Sequence, residues 1–259
     1  MHLIASLSNL VHAYANEDRV DEYEQKEVIV PLELLKVAAE IGRIDIFRKL
    51  CAQSAILEVG NKQALLRSAA QNGHVAVLIE LRTNWGLTGE DARMGNNWPL
   101  QLASKNGHVA VLIELRTNWG LTGEDARAED NLALRWAAEK EHIAVLIELR
   151  TNWGLTGEDA RAEDNLALTW AAENGHVAVL VELRTNWGLT GEDARAEDNL
   201  ALIWAAENGY ADVLIELRTN WGLTGEDALA GDSLALHQAE YNGHDDVLME
   251  FRVNWGVYR

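Results

Sequence analysis

Basic residues are scarce in this chain. Lysine and arginine number 22 against 41 aspartates and glutamates, a formal charge of −19 over 259 residues. Nucleic-acid affinity rests on phosphate contact and needs clustered lysine or arginine, so this balance argues against a nucleic-acid partner. It favours a basic partner, and it also keeps a long exposed chain soluble. Cysteine is nearly absent: Cys51 stands alone, so no internal disulfide can form, which fits a reducing compartment. The only prolines are Pro31 and Pro99, and no Pro- or Ser-rich linker interrupts the chain. No apolar run approaches the roughly 20 residues needed to span a bilayer, so no membrane segment is expected. The first residues lack the basic and apolar regions of a signal peptide, and a cytoplasmic location is expected. Also missing are a Ser/His/Asp set, a Walker loop and a dinucleotide fingerprint. The expectation is a non-enzyme without cofactor or metal.

What the chain does have is repetition. Residues 165–198, NLALTWAAENGHVAVLVELRTNWGLTGEDARAED, differ from 131–164 at five of 34 positions. Further copies start at Gln63, Asn97, Asn199 and Ser233. An Asn-Trp-Gly triplet marks them, with Trp85, Trp119, Trp153, Trp187, Trp221 and Trp255 each 34 residues apart. A fixed period of this length signals a solenoid built from one supersecondary unit.

Within one copy, Asp164 and Asn165 have N-cap chemistry and precede an apolar run, predicting a first helix over 166–174. Gly175 suits the left-handed stop. A second helix is predicted over 177–186, with Leu180, Leu183 and Trp187 on one stripe and Gly188 as its stop. Thr190 with Asp193 has the form of a capping box, with Leu189 and Ala194 as a staple, and predicts a third, single-turn helix. The same turn is expected after Thr88, Thr122, Thr156 and Thr224. Helix one is too short to stand alone and is apolar nearly all round, so neighbouring copies must cover it. On that reasoning Trp170 is expected to be buried inside the array. The fold class is therefore all-α, a solenoid of two antiparallel helices plus a short helical turn per repeat, without β-hairpins.

The string Trp98-Pro-Leu-Gln-Leu-Ala-Ser-Lys-Asn-Gly-His108 resembles the ankyrin signature. Residues 168–176, LTWAAENGH, match the same frame, and 195–202, RAEDNLAL, resemble variant ankyrin repeats of large arrays from intracellular bacteria and giant viruses. The resemblance extends over about residues 32–259. It implies an ankyrin-like α-solenoid that binds another protein on a concave face, and, for a translocated effector, residence in a host cytosol. The period of 34 instead of 33 and the missing Asp-x-x-Gly hairpin tip agree with the short helix.

In order, 1–30 read as an N-terminal helical cap, with Leu3, Leu7, Leu10 and Val11 on one stripe, or as a docking helix. Residues 31–62 form a degenerate first repeat, 63–232 five regular repeats, and 233–259 a C-terminal capping repeat. In that last copy Gln238 and Glu240 replace apolar residues, as an uncovered face allows.

Four features of the repeat are candidates for chemistry. His74, His108, His142, His176 and His244 recur at one repeat position. Stacked helices stand roughly 8–10 Å apart, so one ion cannot join two of these rings, and a bond to nearby backbone is expected instead. The acidic pairs Glu158/Asp159, Glu192/Asp193 and Glu226/Asp227 suit helix N-termini. The six triplet tryptophans are expected to be core. Variation, by contrast, concentrates in two slots four residues apart on helix one. The first holds Arg67, Gln101, Arg135, Thr169, Ile203 and His237; the second holds Gln71, Lys105, Glu139, Glu173, Glu207 and Tyr241. Of these, Arg67, Gln71, Gln101, Lys105, Arg135, Glu139, Thr169, Ile203, His237 and Tyr241 are the candidate partner-binding residues. The expected partner is a protein with a basic surface, met by a monomer. Two rival readings stay open: a structural spacer or engineered array with no specific ligand, and the adaptor portion of a larger effector-type protein.

Overall fold

The computed structural model describes residues 32–52 and 59–257, so the expected N-terminal cap over 1–30 lies outside the described residues. Every regular element among the described residues is helical, in the arrangement of an all-α solenoid. The chain divides into two compact units, Met1–Asp125 and Ala126–Arg259.

The second unit shows the repeat most clearly. Its first helix, Ala162–Glu173, ends at Asn174 and turns through Gly175 at φ +78°. The Gly175 amide donates to Ala172 O and the His176 amide to Ala171 O, at 3.2 and 2.8 Å. This is the Schellman arrangement, which satisfies carbonyls that the helix end would otherwise leave open. The second helix is Val177–Asn186, capped by Trp187 and stopped by Gly188 at φ +75°. Then Thr190 opens the helix Gly191–Ala194 through a capping box with Asp193. The third, single-turn helix is thus present, and residues 154–165 carry a helical turn where a hairpin would project. In Gly89–Lys105 and Gly225–Asn242 the short and long helices run together across a kink.

That kink is what the sequence did not announce. Glu163, Asp164 and Asn165 all have positive φ, 52°, 54° and 65°, and form a left-handed turn that feeds helix one. Asp164 and Asn165, expected as N-caps of helix one, stand in this left-handed turn instead. Left-handed backbone costs about 1–2 kcal/mol per ordinary residue, and Asn and Asp tolerate it best. The turn recurs at Glu129–Asp130–Asn131 and Glu197–Asp198–Asn199.

Packing follows from small side chains. Ala162–Glu173 lies between Ala128–Glu139 and Ala196–Glu207, and the facing alanines Ala133, Ala137, Ala167, Ala171 and Ala205 are buried. Second helices form their own row, Ile143–Asn152 beside Val177–Asn186 beside Ala211–Asn220, with buried Val179, Leu180 and Leu183 turned inward. The first unit repeats the scheme. Val59–Gln71 packs against Leu32–Glu40 and Gly89–Lys105, over a core that includes Leu35, Phe47, Leu65, Leu78 and Leu100.

The tryptophans divide into two groups. Trp119, Trp153, Trp187, Trp221 and Trp255 of the triplet are buried, as expected, while Trp85 is half-buried with the Lys62 ammonium 5.9 Å from its ring centre. Trp136, Trp170 and Trp204 on helix one are only half-buried, which corrects the expectation for Trp170. The small alanines do the packing there, and the indole leans out along the helix face.

Two stability outcomes follow. Trp187→Ala should cost about 3–5 kcal/mol through lost burial and a cavity, and Trp170→Ala less than about half of that, read from urea midpoints. Glu141 stands in the left-handed C-terminal position (φ +58°) that other copies give to glycine. Glu141→Gly should therefore raise stability by about 1 kcal/mol in the same assay.

Candidate functional site

The recurring histidines join neighbouring repeats. His176 Nε2–H donates to the Glu139 carbonyl, 37 residues back, at 2.9 Å, and His244 does the same to Glu207 at 2.8 Å. In the first unit His108 reaches Gln71 and His74 reaches Glu40. The bond is to backbone, but of the preceding repeat and not of nearby chain. The rings of His74, His108 and His244 also cover the preceding glycine turn: a Cβ built on Gly209 would stand 2.7 Å from His244 Nδ1. Tyr210 fills this place over Gly175.

Charged residues form two ladders. Arg161 Nε donates to Asp193 Oδ1 at 2.6 Å, and Nη2 donates to Asp193 Oδ2 at 3.0 Å and to Gly188 O at 2.9 Å. Asp193 Oδ2 also accepts the Thr190 amide of the capping box at 2.7 Å. Arg127–Asp159 and Arg195–Asp227 repeat the clamp, as does Arg93–Asp125 in the first unit. The acidic pairs thus split: the aspartate is clamped, and its glutamate neighbour, Glu158, Glu192 or Glu226, is exposed. A second ladder runs through second helices. Glu182, Glu216 and Glu250 are buried, each accepts from an asparagine four residues on, and Arg150, Arg184 and Arg218 face them at 3.7, 3.4 and 3.0 Å. Burial pushes the Asp159, Asp193 and Asp227 carboxyls up. The arginine, the threonine amide, the guanidinium charge and the threonine hydroxyl outweigh it and hold them below the ordinary carboxylate range.

The variable slots fare differently. In the first, Gln101, Thr169 and Ile203 are buried. Gln101 Nε2 donates to Asn96 O and Thr169 Oγ1 to Asn165 O, so both serve the left-handed turn. Arg67 and Arg135 are half-buried and His237 is exposed. The second slot points outward: Lys105, Glu139, Glu173 and Glu207 are half-buried, Gln71 is exposed, and Tyr241 is 88% exposed. In the second unit this slot lies beside the half-buried tryptophans. Arg135 stacks on Trp170, its guanidinium carbon 5.6 Å from the ring centre, and Nη2 donates to Glu129 O at 2.8 Å. Glu139, Trp170, Glu173 and Asn174 line a shallow recess. Burial first, then the charges of Glu139 and Glu207, raise the Glu173 carboxyl above its ordinary value.

Trp136, Trp170 and Trp204, which stand beside the second slot, are absent from the residues that the sequence singles out as partner-binding candidates. Their three-residue spacing to Glu139, Glu173 and Glu207 was the available signal. Cys51 lies apart, its thiol pushed up to about 12 by burial and by Glu80, so it offers no ready thiolate. Among the described residues no group of three His, Cys, Asp or Glu side chains converges as a metal site, and no helix is long and apolar enough to cross a membrane.

No protein-family model matches the chain, and a search of curated proteins finds no match. The structure itself is that of a helical repeat protein with a period of about 34 residues.

The clamp sets a pH dependence. The aspartates have folded values below their unfolded ones, so their stabilisation is full above the unfolded value, about 4, and is lost as pH falls through the folded values. Urea midpoints of the native chain should drop below about pH 4. Asp159→Asn/Asp193→Asn should be less stable at pH 7 and should lose less on acidification.

Proposed function

We propose that the chain is a non-catalytic protein-interaction scaffold of ankyrin-like kind, and that its partner lies along the row of first helices. In the second unit this row is the more closely packed one, which suits the concave side of such an arrangement. Near-identity of the repeats also gives little room for one asymmetric active site.

One observation carries the reading. The Arg–Asp clamps that join repeats are constant in kind, whereas the outward second slot, Glu139, Glu173 and Glu207 in three copies of the second unit, is Tyr241 in the last. Recognition surfaces on fixed scaffolds vary in this way, and their binding energy concentrates in aromatic and arginine anchors. Half-buried Trp136, Trp170 and Trp204, with Arg135 and exposed Tyr241, are anchors of that type.

Charge supports a basic partner. In 165–198 both bases, Arg184 and Arg195, are held by Glu216 and Asp227, whereas Glu173, Glu192, Glu197 and Asp198 form no ion pair among the described residues. The free charge of the repeat is therefore acidic throughout. Such a field speeds encounter with a basic surface and weakens as salt screens it.

Affinity capture followed by mass spectrometry identifies the partner, and calorimetry then tests the face. Arg135→Ala and Tyr241→Ala should each weaken binding by about tenfold or more, whereas Glu158→Ala on the constant short helix should leave it unchanged. Loss from Glu158→Ala alone would move the working face to the short-helix edge. An array that captures nothing specific would favour the spacer reading.

A further inference from the structure

We infer that the half-buried ring of Trp204, between Glu173 and Glu207, is a seat for an arginine guanidinium presented by a basic partner segment. The inference deepens the scaffold reading and rests on it.

The same unit supplies the template. One repeat earlier, the chain's own Arg135 guanidinium lies over Trp170, at 5.6 Å, beside the recess lined by Glu139, Trp170, Glu173 and Asn174. Trp204 and Glu207 occupy the corresponding positions of the next repeat, followed by Asn208 as Trp170 and Glu173 are followed by Asn174. The residue corresponding to Arg135 is Thr169. It is buried, too short to reach out, and its hydroxyl is bound to Asn165 O. In the template the guanidinium is held by the ring and by Glu129 O; Trp204 has the corresponding ring without a cation, and Glu173 and Glu207 stand at the positions of Glu139 and Glu173.

Carboxylates alone attract any cation diffusely. The ring selects a flat one. A guanidinium is planar, weakly hydrated and stacks on indole, whereas an ammonium is compact and strongly hydrated. Glu139 is already paired with Lys140 at 2.7 Å, but Glu173 and Glu207 make no ion pair among the described residues. Glu173 is also unfavourable to the isolated fold. Its raised carboxyl value means that ionisation at neutral pH is opposed by burial and by its two acidic neighbours. A guanidinium arriving between Glu173 and Glu207 relieves that repulsion, and so binds more tightly than at an isolated exposed acid. Trp136, Trp170 and Trp204 recur at the repeat spacing, so an extended segment running along the first helices can reach Trp204 beside the ring that Arg135 already covers.

The probe is a short Gly/Ser peptide with three arginines, and its lysine twin, titrated into the full ¹⁵N-labelled chain. The Trp204 indole N–H resonance should shift saturably, with the arginine peptide binding roughly three- to tenfold tighter than the lysine one. Trp204→Leu should weaken the arginine peptide by about tenfold. Glu173→Gln/Glu207→Gln should do so too, and it removes repulsion, so it keeps the test valid where Trp204→Leu fails to fold. Glu158→Gln/Asp212→Asn removes the same charge elsewhere and should change affinity by less than about twofold. Equal affinity for both peptides, with equal loss from both double variants, would show diffuse attraction and overturn the seat. Absence of a saturable Trp204 shift would overturn it as well. Either result leaves the scaffold reading standing, because that reading fails on a different measurement: a captured partner indifferent to Arg135→Ala and Tyr241→Ala.

Discussion

A guanidinium laid across the next repeat's helix cap holds each stack in register. Asp193 closes the capping box of Gly191–Ala194 and at the same time receives Arg161 through both oxygens. A four-residue helix has no stability of its own in water. It persists because its cap is fixed from outside by a bidentate, partly desolvated pair, the kind of ion pair that contributes measurably to stability. The third donation, from Arg161 to Gly188 O, ties in the turn that places Trp187. Cap, clamp and buried indole are thus one device. It works only if Arg161 and Asp193 stay 32 residues apart, and that requirement is a physical reason for the constancy of the period.

The device also decides the surface charge. It commits Arg161 and Arg195 to inter-repeat contacts, and the second ladder commits Arg184 and Arg218. The charge left outside the ladders in residues 165–198 is then acidic. The ladders pair one base with one acid and carry no net charge, so the excess comes from acids outside them, such as Glu192, Glu197 and Asp198.

Much of this was legible because it is local. The glycine stops at Gly175 and Gly188, the Thr190–Asp193 box and the second helix over 177–186 each depend on residues within one turn of each other, and all were placed from sequence. The contacts between repeats were not. Nothing in a single copy says that Arg161 reaches Asp193 or that His176 reaches the Glu139 carbonyl; only the stacking brings them together. The left-handed run at Glu163, Asp164 and Asn165 was hidden because Asp and Asn serve as ordinary N-caps and as left-handed residues with equal readiness. Trp170 was placed too deep for a related reason. A helix that is apolar all round gives no direction, and the alanines at 167, 171 and 172 prove to be the buried stripe.

Geometry of this strictness leaves few positions free to differ. The alanine row, the glycine stops, the clamp pair and the histidine bond each have a partner in a neighbouring repeat, so change there is felt twice. The first variable slot looked free but largely is not: Gln101 and Thr169 steady the turn behind them, and Ile203 is buried. What remains is the outward second slot and the half-buried indoles beside it. Glu173 is the telling member. It is disfavoured by its own surroundings, and a glutamine would serve the isolated fold at least as well. A guanidinium seated between Glu173 and Glu207 would relieve the repulsion that these neighbouring acids impose on one another.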